Sequence, residues 1–189
     1  FATVEMRPTQ PGGEGELAGD DDGGVPAGLP AAEVLVLARR LASALGEVHG
    51  RGVVHRDLKP ENVFLLDADL TRAKLIDFGV ARGAEAAALT ADGVVIGTPH
   101  YMAPEQVRGD VVTAATDVWG LGAVLYELFA GRPPFTGSHP LAVMARIVVD
   151  EAPPLGELRA DLPAELTELI HAMLAKEPGQ RPRTGRLAE

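Results

Sequence analysis

With 189 residues the chain is long enough to bury a sizeable core, and one domain is the default organisation. Its 27 acidic and 17 basic side chains leave a net charge of −10, which argues against a nucleic-acid-binding surface. The lack of cysteine excludes disulfides and Cys-based metal sites, and suits a reducing, cytoplasmic setting.

In chain order, residues 1–6 read either as a short strand or as a frayed terminus, and no signal-peptide pattern opens the chain. Residues 7–30 are rich in Gly, Pro and acids around Asp20-Asp21-Asp22; without apolar periodicity they predict a flexible loop. From Ala31 to His49, the residues Val34, Leu37, Leu41, Ala44, Leu45 and Val48 recur at helical spacing and predict one amphipathic helix. Pro30 suits its start, and Gly50 with Gly52 its end. Val53-Val54 and the apolar run 63–66 then bracket His55-Arg56-Asp57-Leu58-Lys59-Pro60-Glu61-Asn62, which reads as a loop between two short strands. A further strand is expected at 73–76, directly before Asp77-Phe78-Gly79.

Residues 80–102 are dominated by small side chains, a loosely held segment that ends in Gly97-Thr98-Pro99 and runs into Ala103-Pro104-Glu105. From Thr116 to Ala130 lies a helix apolar on nearly every face, with Thr116 as its expected N-cap, which predicts burial at the centre of the molecule. Its apolar run, 118–130, contains Glu127 and is too short to span a bilayer. Two more amphipathic helices fit near 140–150 and 163–176, punctuated by Pro153-Pro154 and Pro178. His49, His100, His139 and His171 stand in no motif, and no chemistry is expected of them.

The octet at 55–62, the Asp-Phe-Gly at 77–79 and the Ala-Pro-Glu at 103–105, in this order, resemble the catalytic half of a protein kinase. Isolated aspartates such as Asp67 and Asp69 are explained by turn chemistry, but that does not explain Lys59 and Asn62 at fixed offsets from Asp57. The Lys59-Pro60-Glu61 triplet, Gly97-Thr98-Pro99 with Tyr101, and the 131–135 turn are similar to bacterial-type serine/threonine kinases. The resemblance implies a mainly α fold with short β-strands, a kinase C-terminal lobe built as a helical bundle around a buried central helix. It implies ATP- and Mg²⁺-dependent phosphoryl transfer to Ser or Thr of a protein substrate.

Residue by residue, the resemblance makes Asp57 the acceptor of the substrate hydroxyl proton and Lys59 the contact to the transferring phosphate. Asn62 and Asp77 would hold Mg²⁺ with hard oxygen ligands. Phe64 matches the floor under adenine, although plain core packing suits it equally, and Glu5 matches a hinge whose backbone bonds adenine. His55 is implied to be structural, packing on Phe78 and bonding backbone. Asp117 would hold the catalytic loop by its backbone, Glu105 would pair with Arg181, and Thr98 would bond Asp57 and Lys59. Arg56 would grip a phosphorylated activation-segment residue, for which Thr90 is the best acceptor. At position 120 a Gly stands where Ser is usual in the family, a change expected to loosen the central helix slightly.

No G-x-G-x-x-G stretch lies upstream of His55, and no Lys–Glu pair of the small kinase lobe is found. The resemblance therefore divides the chain into a hinge strand at 1–6, an acidic loop at 7–30 and a C-terminal lobe at 31–189. Two functions follow: the catalytic lobe of a serine/threonine kinase, or a truncated, non-catalytic fragment that binds partners. The lobe is expected to expose an apolar patch where a small lobe would sit, with His55, Phe64 and Phe78 near that surface by resemblance, and to self-associate.

Overall fold

The structure, a computed structural model, describes residues 2–3, 28–78 and 99–187. Its first helix, α1 (Ala31–His49), has the expected limits and buries Val34, Leu37, Leu41, Ala42 and Leu45 along one face. Ala42 rather than Ala44 completes the buried stripe. Beyond His49 the chain closes with two bonds, Gly52 N–H to His49 O at 2.9 Å and Val53 N–H to Val48 O at 3.0 Å, around a left-handed Gly52. This is a Schellman-type stop, which turns the chain sharply out of the helix. Val53-Val54 is consequently spent on the return from α1 and is not the strand expected there.

Three short strands, β1 (Ala2–Thr3), β2 (Val63–Leu65) and β3 (Ala73–Leu75), form one antiparallel sheet in the order β1-β2-β3. Phe64 sits in the central strand, opposite Thr3 on one side and Lys74 on the other. The tight loop between β2 and β3 uses Asp69, whose carboxylate accepts from Thr71 N–H at 2.8 Å.

The helical remainder comprises α2 (Pro104–Arg108), α3 (Ala114–Ala130), α4 (Pro140–Val149), α5 (Leu155–Leu158) and α6 (Ala164–Met173). Every residue of α3 from Thr116 to Ala130 is buried, and α1, α5 and α6 pack around it. All-round apolar character therefore has the meaning expected of it: α3 is the axis of a helical bundle. Its N-cap, however, is Thr113 and not Thr116. Thr113 Oγ1 accepts from Ala115 N–H at 3.3 Å, while Thr116 Oγ1 accepts from Thr113 N–H at 3.1 Å. The extra turn arises because Thr116 is buried and its hydroxyl is required elsewhere.

The far end of α3 is held as firmly. Gly131 takes a left-handed conformation (φ 73°) just past the last turn. Arg159 donates to Phe129 O at 3.0 Å and to Leu29 O at 3.2 Å, placing a cation on the negative end of the helix dipole. The α6 helix is shorter than expected because its continuation, Lys176, turns inward and donates to Ile147 O at 2.8 Å. No helix among the described residues is long and apolar enough to cross a membrane.

Two glycines let other elements approach α3. A Cβ at Gly120 would lie 3.0 Å from Leu58 Cβ, and one at Gly122 would lie 2.9 Å from Met173 Cβ. Gly120 thus lets the 55–62 loop sit close against the helix, in the space a side chain would take. For Gly122→Ala, helix propensity gains up to about 1 kcal/mol, whereas overpacking against α6 costs about 1–3 kcal/mol. The variant is expected to be less stable by about 1 kcal/mol, read as a lower midpoint in urea denaturation.

Candidate active site

Residues 55–62 leave α1, cross the surface of α3 and enter β2 through a short 3₁₀ turn (Pro60–Asn62). Within this loop Lys59 Nζ lies 2.9 Å from Asp57 Oδ2. Asn62 Nδ2 donates to Asp57 O at 2.6 Å and to Asp57 Oδ2 at 3.2 Å. Two polar side chains thereby converge on the Asp57 carboxylate within six consecutive positions. Asp57 and Lys59 are each about a quarter exposed, while Asn62 is buried. Because the amide nitrogen of Asn62 is committed to Asp57, its carbonyl oxygen is the end left for a cation.

The loop is built on strained backbone. Arg56 and Asp77 have φ of 70° and 55°, a region that side-chain-bearing residues adopt at a cost of order 1–3 kcal/mol. The bonds that hold Arg56 there come from the rest of the fold. Asp117 Oδ1 accepts from Arg56 N–H at 2.8 Å, Asp117 Oδ2 accepts from His55 N–H at 2.7 Å, and Gln106 Nε2 donates to Arg56 O at 2.7 Å. Gln106 is fixed in turn by Ala103 N–H, which donates to its Oε1 at 3.0 Å.

His55 is fully buried. Its ring lies 4.6 Å from that of Phe78, and its Nε2 donates to Ile76 O at 3.0 Å. The proton on Nε2 leaves Nδ1 to accept from Asp57 N–H at 3.4 Å. This imidazole ties residues 76–78 to the 55–62 loop and has both nitrogens engaged. Asp77 itself is exposed, one residue beyond the anchored Ile76. Phe64 is half-buried in β2.

Farther from the loop, Arg181 donates to both oxygens of Glu105, at 2.7 and 2.8 Å, and to Ala115 O at 2.9 Å. Its guanidinium also stacks 5.0 Å from the centroid of Trp119. Thr116 Oγ1 adds a third donor to Glu105 at 2.8 Å. Burial pushes the Glu105 carboxyl up, but the bonds from Arg181 and Thr116 outweigh it and hold its pKa below the ordinary value. A second acid, Glu127, accepts from Tyr101 Oη at 2.5 Å. Here burial wins and raises the pKa of Glu127, with Glu61 adding to the rise. Burial and the neighbouring Glu127 push the Tyr101 phenol far up, so Tyr101 keeps its proton and is the donor.

A match to the protein kinase domain family covers residues 26–189. The chain belongs to the protein kinase family. It is similar to bacterial serine/threonine kinases, being 40% identical to PknA of Corynebacterium glutamicum over 81% of the chain. It is 41% identical to RqkA of Deinococcus radiodurans, a DNA damage-responsive serine/threonine kinase, over 82% of the chain. The chain spans only 32% and 23% of the lengths of these two proteins. Among solved structures it is similar to Rad53 residues 1–466, in complex with AMP-PNP, with a TM-score of 0.68 and 25% identity. That match covers 85% of this chain and 40% of the other.

The kinase fold thus brings together Asp57, Lys59 and Asn62, sets His55 against Phe78, and joins Asp117 to the loop and Glu105 to Arg181. Glu5, Thr90 and Thr98 lie outside the described residues. Sequence reading missed His49, Gln106 and the Tyr101–Glu127 pair. Gln106 directly follows Ala103-Pro104-Glu105 and carried a local signal. His49 did not, because its partners Asp117 and Thr184 lie 68 and 135 residues away.

Removing one partner of a buried ion pair costs about 3–5 kcal/mol, since the other charge is left unpaired. Arg181→Met is expected to lose stability in that range by chemical denaturation. The pair also carries an acid limb. The folded pKa of Glu105 is depressed, so its contribution is fully present above the ordinary value of 4.5 and is lost as pH falls through the lower folded value. The stability difference between wild type and Arg181→Met should accordingly shrink as the pH is lowered below 4.5.

Proposed function

We propose that this chain is the catalytic lobe of a serine/threonine protein kinase, transferring the terminal phosphoryl group of ATP to a Ser or Thr hydroxyl of a protein. The observation that carries this reading is the convergence of Lys59 Nζ and Asn62 Nδ2 on the carboxylate of Asp57. A carboxylate so oriented accepts the proton of the substrate hydroxyl as its oxygen attacks in line. Lys59 has three ammonium donors, and with one directed at Asp57 it also reaches oxygens of the transferring group.

The Asn62 carbonyl oxygen and the Asp77 carboxylate would hold Mg²⁺, and their chemistry fits a cation that prefers hard oxygen ligands. Bound Mg²⁺–ATP supplies the transferable phosphoryl group and neutralises its developing charge. The chain's own part is positional. Asp57 is fixed by Asn62 from one side, and Asp117 and Gln106 hold the strained backbone beside it. Phe64, half-buried in the sheet, is proposed to lie under the adenine ring, and Arg56 to meet a phosphorylated Thr90.

Because the sequence offers no glycine-rich loop or small-lobe Lys–Glu pair, we further propose that turnover requires a small lobe to clamp the nucleotide. The 189-residue chain alone is expected to show negligible transfer of label from ATP to a basic protein substrate. Joined to the small lobe of a related kinase, it should phosphorylate Ser or Thr, and Asp57→Asn should lower kcat by about 10²- to 10⁴-fold. A joined protein that binds nucleotide yet transfers nothing would instead favour the non-catalytic binding module.

A further inference from the structure

Helix α5 is a single turn of four residues, and a turn that short has no stability of its own. Its first N–H groups have no intrahelical acceptor, and no side chain caps them, since Pro154 stands at the cap position. What holds α5 comes from neighbouring helices. The Leu155 side chain is fully buried, and Tyr126 Oη on α3 donates to Pro153 O at 3.1 Å. Leu155 N–H donates to His171 Nε2 on α6 at 3.0 Å, which supplies the missing acceptor. The Tyr126 ring stands edge-on to the imidazole with centroids 6.4 Å apart, so the two anchors pack together.

The bond to His171 fixes the state of its ring. A backbone N–H only donates, so Nε2 must be bare, and the neutral imidazole carries its proton on Nδ1. A second proton would set one N–H against another and abolish the bond. From α3 the ring is faced by the Tyr126 phenol, with Arg132 near that phenol, and from the 150–154 segment by Glu151. Helix α5 adds the exposed Glu157, Glu168 lies one turn back on α6 itself, and Lys176, just past α6, shares Glu151. Burial pushes the His171 imidazole below its ordinary value of 6.5, against a smaller upward pull from Glu151.

We propose that His171 is a proton-sensitive latch that holds residues 153–158 to α6 and releases them when its ring takes up a second proton. Glu151 and Pro153 form one wall of a cleft whose other wall is the 132–136 turn, so release opens that cleft. The folded pKa lies below 6.5, so the latch contributes in full above 6.5 and is lost as pH falls through the lower folded value. The acid limb of Glu105 lies lower, below 4.5, which keeps the two effects apart. Nothing in the latch depends on the reaction proposed above.

The test uses the 189-residue chain and reads no kinase activity. It is an NMR titration between about pH 8 and pH 5, the range in which imidazoles change charge. At the upper end, side-chain ¹⁵N signals should place the His171 proton on Nδ1. As the ring titrates, with a midpoint below 6.5, protection of the Leu155 amide should fall about tenfold with the same midpoint, once corrected for intrinsic exchange. The far-ultraviolet helix signal should stay constant, which separates local release from unfolding of the lobe. His171→Gln supplies an oxygen that accepts at every pH in this range, and His171→Leu supplies no acceptor. In both variants Leu155 protection should no longer vary with pH, staying high in the first and low in the second.

A proton on Nε2 at the upper end overturns the latch. So does a His171 that does not titrate in this range, or Leu155 protection that stays constant through its midpoint. A pH-dependent fall that persists in either variant, or loss of the helix signal along with it, does the same. Should His171→Leu fail to fold, the wild-type titration and His171→Gln decide the matter between them.

Discussion

The site depends on one buried carboxylate. Asp117 stands in the first turns of a helix that is buried along almost its whole length, and it reaches back to the amides of His55 and Arg56. Without those bonds nothing local would keep Arg56 at a positive φ, since its own sequence neighbours offer no turn-forming glycine. The strain at Arg56 is therefore balanced by the packing of α3, and the orientation of Asp57 is a property of the whole bundle. Helix α3 serves less as a source of catalytic groups than as a rigid rail on which the loop is mounted.

A second cluster braces the same end of that helix. Glu105, Arg181, Trp119, Phe135 and Lys176 form a stack in which two cations sit over aromatic faces, Lys176 4.2 Å from the Phe135 centroid and Arg181 5.0 Å from that of Trp119. Trp119 and Phe135 lie nearly parallel, with centroids 5.8 Å apart. Burial lowers the Lys176 pKa to about 8, while the ring faces and the Ile147 carbonyl favour its charged form. The cluster joins α2, α3, α4 and the C-terminal segment, so the Ala-Pro-Glu motif at 103–105 is held by residues more than seventy positions away. Gln106, one residue along α2, extends that hold to the Arg56 carbonyl. The 55–62 loop and the motif are thus braced against each other as well as against α3.

Much of this was legible in the order of residues. The stripe of α1 has the period of a helix with one buried face, and its limits coincide with Pro30 and the Gly50–Gly52 stop because those residues act locally. The apolar surround of α3 announced its central position for the same reason: a segment with no polar face has nowhere else to go. The resemblance of 55–62 to a kinase motif pointed to Asp57, Lys59 and Asn62, and they meet because a short loop places such near neighbours in mutual reach whatever the rest of the chain does.

What sequence could not supply were partnerships between distant positions. Val53-Val54 has strand-forming residues, but the bond from Val53 N–H to Val48 O captures it for the helix stop. Thr116 looks like a cap by type, yet its hydroxyl is taken by Glu105, and Thr113 caps the helix in its place. His55, read as lying near an exposed surface, is enclosed once Phe78 and the 76–78 backbone fold over it. His49 carried no motif at all and gains its place only when three elements meet. The sequence by itself determined the limits of α1, the central place of α3 and the mutual reach of residues within the 55–62 loop, because those follow from local pattern and from contacts within a few residues. Only the tertiary structure decided which buried polar groups meet, because each must find a partner wherever packing brings one.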